Sequence, residues 1–484
     1  MKNKQKSLKL NFIMNAILTM SSFLFPLITF PYVSRVLLPA GTGRVSFANS
    51  VVTYFVMISQ LGIPTYGIRA CAVVRDDEEK LKKTVYELFI INVVMSIFAY
   101  VVFFIALASV PRLRADRNLF LITSTLIFFN TIGVEWLYKA LEQYTYITIR
   151  SIIFKFIALI AMFILVRNVD DYVIYGGISI FAASASNVFN FIRLRKIIGT
   201  KKVSNLNFKK HFKPVFMFFI ISCATTIYTN LDNVMLGFMK DDVEVGYYNA
   251  ATKIKNILVS IVTSGTVLMP RASYYIQQEM WDEFYKLSKK AIKFVLLAAA
   301  SMMIYFMIFA REGVLFLSGE AFGGAVVPMI IVMPTLLFIG LTNIMGIQML
   351  IPMGKENAVM ISTFAGAIVD LILNAIFIPF LGSSGAAIGT LVAEFVVLIV
   401  QMVYLKKDVK YLYSNQSYFK IIIALAISTV VVLAVKHFIS GVLVKLVISA
   451  VLFFGVYVVM LYIMKEEVVS ENLNKIFCKI RKKN

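Results

Sequence analysis

Long runs of apolar residues follow one another along almost the whole chain of 484 residues. A helix that crosses a bilayer needs about 20 apolar residues, because roughly 30 Å of hydrocarbon is spanned at about 1.5 Å per residue. The pattern therefore predicts an all-α integral membrane protein of about fourteen transmembrane helices. The stretches lie at approximately 10–34, 44–66, 85–109, 118–138, 147–166, 172–194, 213–238, 249–270, 291–310, 325–350, 358–379, 384–405, 418–437 and 443–464.

The composition agrees with a membrane protein. Hydrophobic residues make up 60% of the chain and charged residues 15%, whereas a typical soluble domain has roughly 45–50% and about 25%. The mean hydropathy is +0.82. These values exclude a soluble enzyme, a disordered chain and a secreted disulfide scaffold.

The excess of basic residues predicts the orientation in the membrane. The chain has 48 Lys and Arg against 26 Asp and Glu, a net charge of +22. With the N-terminus inside, three quarters of the basic residues fall on the cytoplasmic side, beginning with Lys2, Lys4, Lys6 and Lys9. Because cytoplasmic loops collect Lys and Arg, we expect a multi-pass protein of the cytoplasmic (inner) membrane with both termini in the cytoplasm. One outer loop goes against this rule, because it contains three arginines, Arg112, Arg114 and Arg117.

A weak internal repeat divides the chain near its middle. The segment Gly43-Arg-Val-Ser-Phe-Ala-Asn49 opens the second predicted span, and Gly246-Tyr-Tyr-Asn-Ala-Ala-Thr252 opens the eighth, 203 residues later. We expect two pseudo-symmetric six-helix lobes followed by two C-terminal helices, and since transporters built from such repeats bind their substrate between the repeats, we expect a binding site between the lobes. The expected domains are an N-terminal lobe at 1–198, a basic cytoplasmic linker at 199–212, a C-terminal lobe at 213–406, and spans 13 and 14 with a basic cytoplasmic tail at 407–484.

Four predicted spans carry polar side chains at helical spacing. Such side chains are costly in hydrocarbon unless they face protein or water. The repeat relates these spans in pairs, so we expect their polar faces to line one cavity, with packing through small polar residues as the alternative. The residues are Asn15, Thr19, Ser22 and Thr29 in span one; Ser46, Asn49 or Ser50, Thr53 and Gln60 in span two; Ser222, Thr225, Thr229 and Asp232 in span seven; and Asn249, Lys253, Asn256, Ser260 and Thr263 in span eight.

Two of these polar faces contain charges. Asp232 and Lys253 each lie about six residues from the outer end of a span, so they can meet at a similar depth, and pairing would lower the cost of burying both. The pair is either structural or a site for cation coupling or anion binding. Lys253, with Asn249 and Asn256 on the same face, is predicted to bind substrate. Lys255 is a further candidate, although its opposite face equally suits snorkelling or contact with another helix.

Charges near the ends of spans form a second group of candidates. Arg35 and Arg44 flank the first outer turn, and Arg69 lies near the inner end of span two. Cations at both mouths would attract a substrate that bears phosphate, with ordinary contact to lipid headgroups as the alternative. Glu135, beside Trp136 near an inner span end, is with Asp232 a candidate for ion coupling or for a structural pair.

The patterns that would indicate an enzyme are missing from the sequence. The three cysteines, Cys71, Cys223 and Cys478, and the two histidines, His211 and His437, lie far apart. No P-loop, GxSxG or HExxH pattern occurs. We therefore predict a protein that is not an enzyme, with no metal and no cofactor, and with transport driven by an ion gradient or by the substrate's own gradient.

Several segments resemble the Wzx-type polysaccharide-unit flippases of the multidrug/oligosaccharidyl-lipid/polysaccharide exporter superfamily. The outer turn Tyr32-Val-Ser-Arg-Val-Leu-Leu-Pro-Ala-Gly-Thr-Gly43, the seventh-span segment Thr229-Asn-Leu-Asp-Asn-Val-Met-Leu-Gly237 and the eighth-span opening Gly246-Tyr-Tyr-Asn-Ala-Ala-Thr-Lys253 are similar to motifs of that family. So are the segments 142–151, 171–175 and 378–387. The turn departs from the motif, which usually has Gly where Leu38 stands.

The resemblance implies a V-shaped, two-lobed fold of fourteen helices and an undecaprenyl-pyrophosphate-linked oligosaccharide as substrate. Alternating access would turn the headgroup from the inner to the outer leaflet while the lipid tail stays in the bilayer. The product would serve a surface polysaccharide such as a capsule or exopolysaccharide, with a polymerase of the same pathway as a partner. Lys253 takes the place of a cation that holds pyrophosphate and sugars in related flippases, and Asp232 the acidic place of the preceding span.

Three other functions remain open at the level of the sequence, and one of them is a scaffold that transports nothing. An ion-coupled exporter of drugs or small molecules would want an acidic cavity, whereas here Lys253 balances Asp232. A membrane-embedded polysaccharide polymerase would need catalytic residues in a sizeable loop, whereas the loops here are short and basic.

Overall fold

The computed structural model describes residues 8–199, 205–264, 269–413, 418–471 and 473–474. These residues form helices, with no strand among them, and the prediction of an all-α membrane protein is confirmed. Some predicted features lie outside the described residues. They are Lys2, Lys4 and Lys6 at the N-terminus, positions 200–204 of the basic linker, and Cys478 with most of the basic tail.

The helices group into two compact units, Met1–Gly246 and Tyr247–Asn484. The division falls after the first turn of helix α11 (Asp242–Ser264), which begins in the first unit and continues in the second. The other helices of the first unit are α1 Leu8–Gln60, α2 Ile63–Val73, α3 Glu78–Ser109, α4 Pro111–Ala115, α5 Arg117–Gly133, α6 Glu135–Ala140, α7 Tyr144–Leu165, α8 Tyr172–Ile180, α9 Asn187–Ile198 and α10 Lys209–Met239.

The described part of the second unit contains both short and long helices. Two stretches are π-helical, Phe181–Ala185 in the first unit and Asn343–Leu350 in the second. The α-helices of the second unit after α11 are α12 Met269–Gln277, α13 Trp281–Ile308, α14 Ala310–Ser318, α15 Val326–Val332, α16 Thr335–Thr342, α17 Glu356–Leu381, α18 Ser383–Tyr404, α19 Lys406–Tyr413, α20 Tyr418–Lys436 and α21 Val442–Ile463.

Ten of the described helices are long and apolar enough to cross a membrane, or eleven if the bent pair Glu320–Val332 and Thr335–Leu350 is one span. Each of the fourteen predicted stretches overlaps one or more of the helices above. The counts differ because α1 covers the first two predicted spans, α5 is only 17 residues long, and α11 carries two lysines. The protein is thus multi-pass, and fourteen crossings stay a prediction.

Helix α1 is two helices that meet at Leu38. The backbone there has φ 59° and ψ 178°, which is not helical, and Pro39 follows. The break lies between the first two predicted spans. It also explains the glycine that the resembling motif usually has at this position, because positive φ with extended ψ is costly for any residue with a Cβ.

Close packing of helices holds each unit together. In the first unit, a buried apolar cluster joins α2, α3, α6 and α10 through residues such as Ile63, Leu88, Trp136 and Val215. In the second unit, α17 and α18 form a hairpin in which a Cβ on Gly385 would lie 2.5 Å from the Phe377 carbonyl oxygen. Small residues at such crossings let helix backbones approach each other closely in a membrane.

The last two helices pack against α13 in the second unit. The Tyr305 hydroxyl donates to the Leu446 carbonyl at 2.7 Å, and the Tyr457 hydroxyl donates to the Leu297 carbonyl at 3.2 Å. Each bond satisfies a phenol among apolar side chains, which orients α21 on α13.

Candidate functional site

The polar face of α11 contains the main predicted binding residues. Asn249, Lys253 and Asn256 follow one another at four- and three-residue spacing, so they share a face of the helix. Asn249 and Lys253 are half-buried and Asn256 is exposed. Lys255 has a different environment, with only 9% of its surface exposed. Their roles in binding stay a prediction.

Asp232 lies on α10 and is 6% exposed. It belongs to the first compact unit, whereas Lys253 belongs to the second, so their predicted pairing also stays a prediction. The next residue, Asn233, donates from Nδ2 to the Ser50 hydroxyl at 3.2 Å. Ser50 is the position of α1 that the repeat relates to Lys253, so a polar link joins α10 to α1 at this point.

An ionic cluster surrounds the junction between α10 and α11. Arg44 lies 3.3 Å from the Asp242 carboxylate and 3.9 Å from that of Asp116. Arg112 contacts the same two carboxylates, at 3.5 Å for Asp116, and donates from Nε to the Gly237 carbonyl at 3.0 Å. Asp242 also begins α11, where the helix dipole favours a negative charge. Arg44 would have to leave these carboxylates before it could bind a phosphate.

The cluster also gives ion-pair partners to Arg112, one of the arginines that the predicted orientation places on the outer side. The positive-inside rule does not predict an arginine at this position, because it counts basic residues and ignores the carboxylates that pair with them. In the structure Arg112 shares two carboxylates with Arg44, and its guanidinium lies 5.0 Å from the centre of the Phe47 ring. Planar guanidinium groups suit such combined ion-pair and aromatic contacts.

Two glycines bring the repeat positions into contact at this junction. A Cβ on Gly43 would overlap the backbone of Asp242, and a Cβ on Gly246 would overlap the backbone of Pro39. Gly43 and Gly246 are related by the repeat, and Pro39 and Asp242 are separated by the same number of residues. The contact is therefore reciprocal, as expected where two related turns cross.

The remaining charged candidates are Arg35, Arg69 and Glu135. Arg35 is exposed on α1 and donates to the Pro31 carbonyl of the preceding turn, and Arg69 is exposed on α2. Glu135 begins α6, where Lys139 lies 2.9 Å and Arg150 3.9 Å from its carboxylate. Two basic neighbours suit a structural role for Glu135, and its part in ion coupling stays a prediction.

A buried network at the beginning of α10 was not predicted. Glu87 of α3 is fully buried and lies 2.7 Å from the Lys210 ammonium and 2.8 Å from His211 Nε2. The Asn207 backbone N–H donates to the same carboxylate at 2.6 Å, and His211 Nδ1 lies 2.9 Å from the Tyr66 hydroxyl. The network ties the end of the basic linker to α2 and α3. Its members are up to 145 residues apart, so no local pattern could reveal it.

Lys155 is a second residue that the sequence reasoning missed. It lies near the middle of α7 and is half-buried. Its ammonium donates to the hydroxyls of Ser21 and Ser22, at 2.9 and 3.0 Å. Ser22 belongs to the predicted polar face of α1, in which Asn15 and Thr19 are exposed and Thr29 is buried. The sequence did contain a signal, because Lys155 is a charged residue within the apolar stretch 147–166.

The fold of the chain occurs in solved structures of other membrane proteins. It is similar to the lipid II flippase MurJ in an inward closed conformation, with a TM-score of 0.72 and 14% identity, covering 95% of this chain and 100% of that one. A multidrug resistance MATE family transporter of the MOP superfamily, in an inward-facing conformation, matches with a TM-score of 0.60 and 14% identity, covering 84% of this chain and 100% of that one.

The sequence gives the narrower assignment. The model of the family described as polysaccharide biosynthesis protein matches residues 8–276, more than half of the chain, and the chain belongs to this family. A protein of Escherichia coli (strain K12) named "Putative O-antigen transporter" is 24% identical over 423 residues, which cover 84% of this chain and 99% of that one. The resemblance to Wzx-type members of the exporter superfamily is thus confirmed.

Proposed function

We propose that the protein carries undecaprenyl-pyrophosphate-linked oligosaccharide units from the inner to the outer leaflet of the cytoplasmic membrane by alternating access. The units would serve the synthesis of a surface polysaccharide, and a polymerase would use them on the outer side. One observation carries this proposal: a member of the polysaccharide biosynthesis protein family aligns over nearly the full length of a protein named as an O-antigen transporter.

The polar face of α11 supports this substrate by its chemistry. A lysine ammonium makes charge-assisted hydrogen bonds to phosphate oxygens, and it does so more strongly away from bulk water. Asn249 and Asn256 flank Lys253 on the same face and can both donate to and accept from sugar hydroxyls. In this proposal Lys253 holds the pyrophosphate, the two amides contact the glycan, and Asp232 and Glu135 are candidates for ion coupling.

Export of drugs or small cations is the second candidate, because the fold is also similar to a MATE family transporter. A cavity for cations gains from acidic side chains that lack basic neighbours. In the described part of the first unit, the carboxylates of Asp116, Asp242, Glu87 and Glu135 all lie within 4.0 Å of basic side chains. The proposal therefore favours an anionic substrate.

Labelling of the two membrane leaflets tests the proposal in cells. The gene is deleted, and lipid-linked oligosaccharide is labelled in intact and in lysed cells. We expect complete units to accumulate on the inner leaflet and to reach the outer leaflet again when the wild-type protein is restored. Normal outward transfer in the deletion strain would contradict the proposal and would make drug efflux the next assay.

Lys253→Ala tests the binding face in the same assay. Loss of one charge-assisted contact costs about 1.5–3 kcal/mol, so we expect outward transfer to fall about 10- to 100-fold while insertion is unchanged. Lys445→Ala is the matched control, because Lys445 lies in α21 and interacts with Glu312, 3.9 Å away. If the two variants transfer the substrate equally well, Lys253 is not part of the binding site.

A further inference from the structure

Lys155 places a positive charge deep in an apolar helix. Helix α7 runs from Tyr144 to Leu165 and is one of the helices suited to cross the membrane. Lys155 lies about 16 Å along this helix from its beginning, at a rise of about 1.5 Å per residue. That is close to the middle, and too far from either end for a lysine side chain to reach the headgroups. Charges at such depths usually mark a path for a substrate or an ion.

The protein groups around this ammonium do not neutralise it. Its hydrogen bonds go to the neutral hydroxyls of Ser21 and Ser22. Among the described residues, no carboxylate lies within 4.0 Å of Lys155 Nζ, the distance that defines the ion pairs elsewhere in the chain. An ammonium has three N–H donors, and two hydroxyls occupy two of them. One donor and a full charge are left for a ligand.

Two other lysines in apolar helices, Lys293 and Lys436, differ in this respect. Lys293 of α13 lies 2.9 Å from Glu466, and Lys436 of α20 lies 3.5 Å from Glu312. These pairs offset much of the cost of removing a charge from water. Lys155 has no such compensation from the described residues, so the energetic reason for keeping a lysine there must come from something that binds it.

The surroundings of Lys155 are open on the side of α1. Ser22, Thr19 and Asn15 form an exposed polar face that begins at the lysine. About two turns towards the beginning of α7, the Thr148 hydroxyl donates to the Met14 carbonyl at 2.9 Å, and this bond holds α7 against α1. The lysine and its two serines thus sit on a fixed pair of helices beside a surface that a polar headgroup can occupy.

We propose that Lys155, with Ser21 and Ser22, is a binding site for the pyrophosphate of the lipid-linked substrate in the first compact unit. It lies on α7 and α1, whereas Lys253 belongs to α11, and it rests on the proposed function. The ammonium binds a phosphate oxygen through its third donor, and the hydroxyls of the two serines hold the ammonium in place. The ligand is a lipid-linked pyrophosphate, and bulk phospholipid offers the same phosphate chemistry as a monoester or diester.

Binding by the full-length purified protein tests this site. The probes are a polyprenyl pyrophosphate without sugar, a polyprenyl monophosphate and phosphatidylglycerol, each titrated into protein in nanodiscs of neutral lipid. Lys155→Met removes the charge and keeps most of the side-chain volume. We expect its Kd for the polyprenyl pyrophosphate to rise at least about tenfold, which corresponds to about 1.4 kcal/mol. Lys445→Ala, as the matched control, is expected to stay within about twofold of the wild type.

Further variants keep the test decisive. Lys155→Arg retains the charge and is expected to restore most of the affinity, and the double variant Ser21→Ala with Ser22→Ala is expected to weaken binding by a smaller factor. Thermal unfolding of each variant shows whether it is folded. If Lys155→Met does not fold, the arginine and serine variants still test whether this site binds pyrophosphate. Unchanged affinity in folded Lys155→Met would overturn the proposal.

The probes separate this site from its alternatives. If phosphatidylglycerol loses affinity as much as the pyrophosphate does, Lys155 binds phospholipid headgroups and the assignment to substrate is overturned. If pyrophosphate binding depends on Lys155 but the protein moves no lipid-linked oligosaccharide, the proposed function fails while the anion site stands. If transport occurs and Lys155→Met leaves both binding and transport intact, the site fails while the function stands.

Discussion

At the scale of single residues, the backbone at Leu38 is strained. Its φ of 59° and ψ of 178° lie in a region that glycine occupies readily and other residues occupy at a cost of about 1–3 kcal/mol. Leu38 is 37% exposed, so its side chain recovers little of this cost through burial. The strain is local, and it lies at the turn between the first two predicted spans.

Replacing Leu38 by glycine should therefore stabilise the protein. Glycine removes the backbone strain, but its added freedom in the unfolded chain costs about 0.5–1 kcal/mol. The first effect is the larger, so we expect the free energy of unfolding to increase by about 1 kcal/mol. Thermal unfolding in detergent measures it. As a control, Leu433→Gly in α20, where the residue is 45% exposed and helical, should lower the melting temperature. A lower melting temperature for Leu38→Gly as well would contradict the account of this turn.

Sequence reasoning found the residues of the candidate site that lie on one helix face, and it missed those defined by a neighbouring helix. Periodicity placed Asn249, Lys253 and Asn256 together, because spacing along one helix fixes which residues share a face. Lys155 and Glu87 were missed, because their significance depends on partners at Ser21 and His211, more than 100 residues away in the sequence. A single sequence gives no distance between helices.

At the scale of helices, α10 is fixed to the first unit at both of its ends. Near its end, a Cβ on Gly237 would overlap the ring of Phe47 of α1. Near its beginning, a Cβ on Gly62 would lie 2.5 Å from the Phe219 backbone nitrogen. Between these points Asn233 bonds to Ser50. Since glycine alone allows these approaches, the packing of α10 in the first unit depends on small residues at these positions.

The reciprocal glycine contact is open to a direct test. Gly43→Ala adds one methyl group that would meet the Asp242 backbone, which cannot move aside as a flexible side chain could. We expect a loss of about 1–3 kcal/mol or more in the free energy of unfolding, measured by thermal unfolding of the purified protein. Gly455→Ala in α21 is the matched control, because a Cβ there meets nothing within 4 Å. Equal melting temperatures for the two variants would show that the helices do not cross at Gly43.

The helices themselves were largely predictable, and their ends and breaks less so. Runs of about twenty apolar residues gave each predicted span, because hydrocarbon thickness sets that length. The sequence did not reveal that α1 continues through the first turn as one long run broken at Leu38, or that the tenth predicted span, 325–350, is bent by 48°. Both features depend on backbone angles that apolar character does not determine.

At the scale of the whole molecule, the repeat and the packing divide the chain at different places. The repeat places a boundary in the linker 199–212, whereas the compact units separate after Gly246. Helix α10 and the first turn of α11 account for the difference, since their contacts to α1, α2 and α3 group them with the first unit. In any motion of the first unit, α10 is expected to move together with the N-terminal helices.

The predicted orientation can be tested at the two ends of α10. In a variant without Cys71, Cys223 and Cys478, a single cysteine replaces either Asn205 before α10 or Lys240 after it, both of which are exposed. With the basic linker in the cytoplasm, a membrane-impermeant maleimide should label Lys240→Cys in intact cells and Asn205→Cys only after permeabilisation. The reverse result would invert the assignment and place both termini outside.

Reconstitution tests the central claim most directly, because it asks whether this chain alone moves lipid-linked oligosaccharide across a bilayer. The purified protein is placed in liposomes that contain an undecaprenyl-pyrophosphate-linked oligosaccharide, and the fraction of glycan accessible to an external modifying enzyme is followed with time. The account predicts that this fraction rises beyond the outer-leaflet share with wild-type protein, and that Lys253→Ala slows the rise about 10- to 100-fold. A fraction that stays at the outer-leaflet share with folded wild-type protein, with and without an ion gradient, would contradict the claim.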